Sequence, residues 1–356
     1  MKIAFVLPGR GRSGGVRSTS IVAKELSARG HQVRVLWRQP PRTLSSMYRS
    51  VRDKIVPGGT PDWLNQFPGT LESFKDIREC SFEPSQIIVG VGMAMSSELA
   101  LLDRLPNPKI QYLHGATPWD QELMARTLRL PFPKILVATY LREIVAMHGS
   151  AEVLGIVHNG VDQREYFSSA PETERNGIGM IYSSDPPKGP DTTLAVIKKM
   201  SILRPHIPIR LFGAERKPWA MRRVSYWKSP SVEQAREIYS RSLVWVVASR
   251  AEGFSLPILE AMACGCAVVA TDCGGPSDII RDRENGLLVP VGDVDGIVER
   301  VRELLDNSAL RDRVRKMSHE TAQRYTWEKC INDLEAAILK GAGILRQQRE
   351  ALIDRG

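Results

Sequence analysis

Short apolar runs recur along this chain, each closed by Gly, Pro or a polar loop and followed by a stretch with apolar positions three or four apart. Lys2–Leu7 is the first such run and ends at Pro8-Gly9. Gln32–Trp37, Ile87–Val91, Lys109–Leu113, Ile135–Ala138 and Glu152–Val157 repeat the pattern. Runs this short suit buried strands rather than helices. Between them lie helical spacings such as Ile21, Val22 and Leu26 within Ser18–Arg29, closed by Gly30 as a C-terminal cap. Strand and helix in strict alternation can close only into a parallel sheet with helices on its faces. That requirement excludes helical bundles and antiparallel sandwiches.

The polar segment SSAPETERN, Ser168–Asn176, interrupts the alternation, which then restarts. Strands are expected at Ile178–Tyr182, Ile209–Phe212, Leu243–Ala248 and Ala267–Thr271. Helices are expected at Asp191–Leu203, Ser231–Ser240, Leu256–Cys264, Val294–Asp306 and Leu310–Tyr325. At about 150 residues per domain, 356 residues hold two such units. The expected boundaries are 1–167, 168–335 and a closing helical segment 336–356 that packs back on the first domain.

No apolar run approaches the roughly 18 residues that a membrane span needs. The run before Pro8 is too short for the core of a signal peptide, so the expected location is the cytoplasm. The five cysteines show no CxxC spacing and no neighbouring His, and read as small apolar packing residues rather than metal ligands. Of the net charge of +9, the excess lies at the start: residues 1–60 hold 12 Lys/Arg against 2 Asp/Glu. The rest of the chain is close to balanced. Such an excess points to an anionic partner, and the absence of any nucleic-acid motif turns the expectation toward a membrane surface or a charged acceptor. Leu44, Met47, Val51 and Ile55 form one apolar helical stripe flanked by Arg42, Arg49, Arg52 and Lys54, a pattern that fits an anionic membrane interface.

The segment richest in chemistry is ASRAEGFSLPILEAMACGCAVVAT. A buried strand ends near Ala248, and a loop carries Arg250, Glu252, Gly253 and Phe254. A helix then starts near Ser255 and Leu256, with Pro257 in its first turn, where proline is tolerated. The unpaired N–H groups and positive dipole end at such a start suit an anion such as a diphosphate. Glu260 stands eight positions after Glu252, and a carboxylate there can accept from the vicinal hydroxyls of a ribose. In the first half, Gly14 and Gly15 allow close backbone approach to a ligand. Lys188, after a strand and before a helix, is a reasonable phosphate contact.

This stretch resembles the E-x7-E motif of the retaining GT-B glycosyltransferases of family four, also called group 1. Further segments resemble the family in the same order: SGGVRSTSIVAKELSARGHQVRVL from Ser13, HNGVD from His158, GGPSDII from Gly274, NGLLVPVGD from Asn285 and TWEK from Thr326. The resemblance is weak from about Pro40 to Glu83. It implies an α/β GT-B fold, two Rossmann-like doubly wound domains facing across a cleft. The nucleotide-sugar donor is expected on the C-terminal domain, and a glycan or lipid-linked acceptor on the N-terminal one. It implies neither a metal nor a cofactor, the nucleotide-sugar being a substrate. It assigns Lys188 to the donor phosphate, Glu252 to the reacting sugar, and His114 in QYLHGATPWD to a position near that sugar. Transfer is expected to proceed with retention, the donor phosphate taking the acceptor proton.

Ser183, in YSSDPPKG, stands where the family usually carries an Arg five residues before the Lys. Either Arg216 or Arg250 supplies the missing charge, or the phosphate is held more weakly. Asp278 likewise replaces a more common Glu. Two other readings stay open: a nucleotide-sugar 2-epimerase, which shares the fold, and a non-catalytic nucleotide-sugar-binding subunit, which Ser183 favours.

Overall fold

The structure, a computed structural model, describes residues 1–11, 13–40, 62–149, 151–221 and 224–353. The chain divides into two compact units, Met1–His158 with the chain from Glu328 onward, and Asn159–Trp327. Both boundaries fall earlier than the sequence suggests. The chain has already joined the second unit before SSAPETERN, because Val161 N donates to Tyr325 O at 2.9 Å. Gly160 is required there: a Cβ would meet Trp327 N at 2.2 Å. The NGVD and TW segments therefore lie side by side where the chain enters and leaves the second unit.

The first unit is built on a seven-stranded parallel sheet, β1 (Lys2–Leu7), β2 (Gln32–Arg38), β3 (Thr70–Phe74), β4 (Ile87–Val91), β5 (Lys109–Leu113), β6 (Lys134–Leu136) and β7 (Val153–Ile156). Its strand order is 3-2-1-4-5-6-7. Helices α1 (Gly14–Ala28), α2 (Gly92–Glu98), α3 (Gln121–Leu128) and α4 (Tyr140–His148) alternate with the strands. Every residue of β4 and β5 is buried, the pattern of a parallel sheet covered on both faces. Gly14 and Gly15 are not loop residues. Ser13 caps Val16 N, so the helix begins at Gly14, four residues before the apolar periodicity becomes visible.

The second unit repeats the plan with β8 (Ile178–Ile181), β9 (Ile209–Gly213), β10 (Ser225–Lys228), β11 (Val244–Val247), β12 (Ala267–Thr271) and β13 (Leu287–Val289) in the order 10-9-8-11-12-13, all parallel. Its helices are α5 (Pro190–Leu203), α6 (Val232–Ser240), α7 (Leu256–Ala263), α8 (Pro276–Ile279), α9 (Val294–Asp306) and α10 (Ser308–Arg324). Strands β3 and β10 have no apolar run to announce them, and β13 only the three residues LLV: β3 reads TLESF and β10 reads SYWK, both at sheet edges where one side is left open to polar residues. In both sheets the strand order reverses beside the first strand, at β1/β4 and at β8/β11. Ligands of doubly wound folds bind at such switch points, beyond the carboxyl ends of the strands.

The last helix, α11 (Trp327–Ile353), belongs to the first unit from Glu328 onward. Glu335 on it receives Arg29 at 2.8 Å and His31 at 2.7 Å, and Lys340 pairs with Glu152 at 2.8 Å. The basic excess of the first 60 residues looks different in space. Lys2, Arg10, Arg29, Arg34 and Arg38 pair with Glu83, Asp62, Glu335, Glu72 and Glu98, all of which come from later in the chain. A count over a sequence window misses partners that the fold brings in. The amphipathic stripe from Arg42 to Ile55 lies outside the described residues. Among the described residues no helix is long and apolar enough to cross a membrane.

Candidate functional site

The loops that follow β8 and β11, the two strands of the second switch point, carry the charged side chains singled out from sequence. After β8 the chain turns through Pro186–Lys188 and enters α5 at Gly189. Gly189 has φ +62°, and a Cβ there would meet Ala248 O at 2.1 Å, so only glycine lets the turn dock. Arg250 N and Ala251 N both donate to Pro187 O, at 2.7 and 3.1 Å, and fasten the two loops together. Lys188 is thereby delivered to Glu252: Nζ donates to Oε1 and to Oε2, each at 2.9 Å. Ser249 Oγ adds a third hydrogen bond to Oε1 at 2.7 Å.

Glu252 is 8% exposed, whereas the Lys188 side chain remains 44% exposed. Burial pulls the lysine pKa down, but the charge and hydrogen bonds of Glu252 outweigh it, so Lys188 titrates above its ordinary value and is cationic at neutral pH. The loop after β12 supports the glutamate from the other side. Gly275 N donates to Glu252 O at 3.0 Å, and a Cβ on Gly275 would meet Phe254 Cα at 2.4 Å. Of the paired glycines of GGPSDII, Gly275 is thus required by backbone-to-backbone contact and Gly274 by its φ of +110°. Cys273, beside Glu252, has its thiol pushed up to about 12 by burial and that carboxylate, and stays protonated.

Helix α7 starts directly behind this loop. Its N-cap, Ser255, has φ +80° and ψ 74°, the left-handed region that side chains other than glycine avoid. The residue is 5% exposed, yet its Oγ neither caps the helix nor finds any hydrogen-bond partner. No acidic residue occupies the first turn. A strained backbone and an unsatisfied buried hydroxyl therefore coincide at the positive end of a helix, where an anion is favoured. Gly253 precedes this cap. The Phe254 ring is buried, with its centroid 5.7 Å from that of Tyr325, so its side chain is a packing anchor and its backbone is what the loop offers. Leu256 is buried as the first helical residue.

Glu260 lies one turn further on, 6% exposed, with Oε2 accepting from Tyr239 OH at 2.9 Å. Burial and the Glu260 charge raise the tyrosine pKa well above its ordinary value, so Tyr239 remains a donor. Tyr239 and Ser249 are the supporting groups that sequence reading missed. Tyr239 stands 21 residues before Glu260 on another helix, and no local pattern ties the two.

The cations expected to offset Ser183 are arranged differently from one another. Arg250 pairs with Asp191 in the first turn of α5, and Arg216 is exposed. Ser183 Oγ accepts from Asp185 N at 3.2 Å, closing a turn, while Glu215 accepts from the neighbouring Ser184 N at 3.0 Å.

In the first unit, His114 follows β5. Its ring lies against Tyr112, centroids 4.2 Å apart, and a Cβ on Gly15 would meet His114 Nδ1 at 3.5 Å. Burial lowers its pKa to about 4, so the imidazole is neutral at physiological pH, and Nε2 is buried without a hydrogen-bond partner. Among the described residues no three His, Cys, Asp or Glu side chains come together as metal ligands.

Two Rossmann-like parallel sheets, one in each unit, are the architecture of the GT-B glycosyltransferases. Residues 162–321 match the family "Glycosyl transferases group 1". The chain is 26% identical to a phosphatidyl-myo-inositol mannosyltransferase of Mycolicibacterium smegmatis, over 92% of this chain and 90% of that protein. It is 38% identical to an uncharacterized glycosyltransferase of Methanocaldococcus jannaschii, over only 24% of each chain. Among solved structures, Anabaena HepE in complex with UDP superimposes with a TM-score of 0.75 at 15% identity, covering 96% of this chain and all of that one. The chain is a glycosyltransferase with the GT-B fold, and the group 1 match lies in residues 162–321, within its second unit.

Proposed function

We propose that the second unit binds a nucleotide-sugar and that the enzyme moves its sugar to an acceptor hydroxyl with retention, without a metal or cofactor. The observation that carries this reading is the unsatisfied, strained Ser255 at the start of α7, beside a cationic Lys188. The diphosphate lies at that helix end, taking hydrogen bonds from Ser255 and charge from Lys188. Glu260, oriented by Tyr239, accepts from the ribose diol. Glu252, held by Ser249 and Lys188, accepts from hydroxyls of the sugar. As the sugar leaves, negative charge grows on the diphosphate, where the helix end and the lysine stabilise it. The departing phosphate takes the proton of the acceptor hydroxyl, so no protein base is required. His114, neutral and unpartnered, offers a hydrogen bond to the substrate in the first unit.

The relatives support a place in glycolipid or cell-surface glycan synthesis. Besides the phosphatidyl-myo-inositol mannosyltransferase, they include a lipopolysaccharide core glycosyltransferase of Rhizobium meliloti, 34% identical over 27% of this chain. The HepE complexes hold UDP or UDP-glucose, which favours a UDP-sugar as the first donor to try. A lipid-linked acceptor would bring the enzyme to the inner face of a membrane as a peripheral protein. The test is a thermal-shift panel of UDP-, GDP- and ADP-sugars, followed by incubation of the stabilising donor with candidate acceptors. A true donor raises the melting temperature, since it binds only the folded chain. No shift with any donor refutes the reading, and a product of inverted anomeric configuration refutes retention.

A further inference from the structure

We infer that the loop after β5 in the first unit holds a pyranose ring of the acceptor, which is therefore itself a saccharide. The inference rests on the transferase reading above and names the acceptor's chemical class. The loop runs from His114 to Asp120, and its backbone is fixed from several sides. Ala116 N donates to Tyr140 OH, at the start of α4, at 3.3 Å. Asp120 N donates to Thr117 O at 2.9 Å and closes a turn with Pro118 and Trp119 at its tip. Gln121 Nε2 donates to Pro118 O at 2.8 Å, and Asp120 caps α3 by accepting from Leu123 N at 2.9 Å. On this fixed turn Trp119 is 61% exposed. Tryptophan is on average strongly buried, so an indole held out in solvent by a firmly built loop calls for a ligand to cover it.

The same loop carries two polar atoms left over. Thr117 Oγ1 and His114 Nε2 are buried, and neither has a hydrogen-bond partner. Such groups cost stability in the empty protein and are relieved by a ligand that both donates and accepts. Neither is charged, since the imidazole is neutral at physiological pH. The loop also lies at the switch point of the first sheet: a Cβ on Gly15, the second residue of α1, would meet His114 Nδ1 at 3.5 Å. An exposed indole and two neutral hydrogen-bonding groups on one short loop fit one chemistry. A pyranose has a face of C–H bonds, whose positive hydrogens suit the negative face of the indole, and an edge of hydroxyls, each able to donate and accept. A phosphate or an acyl chain matches one half of that set and leaves the other unmet.

The full chain is titrated by calorimetry with the methyl pyranosides of glucose, galactose, mannose and N-acetylglucosamine, with glycerol, and separately with UDP and GDP. At least one pyranoside binds, whereas glycerol, which has hydroxyls but no ring face, does not. Trp119→Ala weakens pyranoside binding about ten-fold, with melting temperature and nucleotide affinity unchanged, and Trp119→Phe, which keeps an aromatic face, recovers most of it. Thr117→Val, which removes the hydroxyl and keeps the shape, loses several-fold. Glu252→Gln leaves pyranoside affinity as in the wild type, which separates this site from the candidate donor site. The inference is overturned by no binding of any of these pyranosides, by equal binding of glycerol, by full pyranoside affinity in Trp119→Ala, by a loss in Glu252→Gln, or by co-sedimentation with phosphatidylglycerol vesicles that Trp119→Ala abolishes, which would make the ring a lipid contact. Pyranoside binding without UDP or GDP binding would refute the donor reading instead.

Discussion

Replacing Ser255 by glycine should make this enzyme more stable and worse at holding its donor. Ser255 sits at φ +80°, a conformation that costs a residue with a Cβ about 1–2 kcal/mol. Its Oγ is buried without a partner, which costs about 1–3 kcal/mol more. Glycine removes both terms and returns roughly 1 kcal/mol through its greater freedom in the unfolded chain. The net gain is about 1–4 kcal/mol, a rise of several degrees in melting temperature for a unit of this size. The same hydroxyl is assigned to the diphosphate, and losing a hydrogen bond to a charged group costs about 1.5–3 kcal/mol, ten-fold or more in affinity. Thermal melts without ligand and calorimetric titration with the preferred nucleoside diphosphate give the two quantities separately. Ser255→Ala keeps the strain and removes the hydroxyl, so it should match glycine in affinity loss and fall short of it in stability. A glycine variant that melts no higher and binds the nucleotide as well as wild type would show that neither the strain nor the orphan hydroxyl serves the donor.

Lys188→Ala and Glu260→Ala should each weaken nucleoside diphosphate binding more than ten-fold, whereas Glu252→Ala should leave it nearly unchanged and raise KM for the complete nucleotide-sugar; equal effects at all three positions would contradict the assignment of diphosphate, ribose and sugar. Tyr239→Phe, which leaves Glu260 Oε2 without its 2.9 Å donor, should weaken nucleotide binding several-fold with a stability loss of about 1–3 kcal/mol. Ser183→Arg should raise affinity for the nucleoside diphosphate if position 183 faces the phosphate; pairing of the new guanidinium with Glu215 would appear as unchanged affinity and would end the charge-deficit idea. Lys134 is fully buried, its ammonium donating to Leu130 O and Phe132 O, and burial lowers its pKa to about 8. The unfolded chain then binds more protons between about pH 8 and the ordinary lysine value of 10.5, so stability rises with pH through that window, by up to about 3 kcal/mol. Urea denaturation of wild type and Lys134→Met across pH 7–10 should differ by a curve of that slope, and parallel curves would refute it.

The candidate site of the second unit was legible because its chemistry is local. Strand, Glu252 loop, Pro257 and Glu260 follow one another in a single stretch, and the structure places them on β11, its loop and α7 in that order. What stayed hidden depends on contacts between distant segments. The left-handed conformation of Ser255 has no sequence signal, since the residue there is not glycine. The Tyr239 support comes from another helix. Edge strands β3 and β10 carry polar residues that mask their period. Of the basic residues among the first 60, five meet carboxylates supplied by later parts of the chain, pairings that a count over a sequence window does not register.

The return of α11 to the first unit has a consequence for how the protein is made. The second unit is one continuous stretch, Asn159–Trp327, and every strand and helix it needs leaves the ribosome before Glu328 does. The first unit is begun earlier and completed later: Arg29, His31 and Glu152 wait for Glu335 and Lys340, which are among the last residues translated in this sequence. During vectorial synthesis the second unit can therefore reach its native state while the other still exposes the apolar surface that α11 will cover, around Leu154 and Ile110 where Gly341 packs. A chain that ends at residue 327 and is released from the ribosome should hold a protease-resistant second unit attached to a protease-sensitive first one.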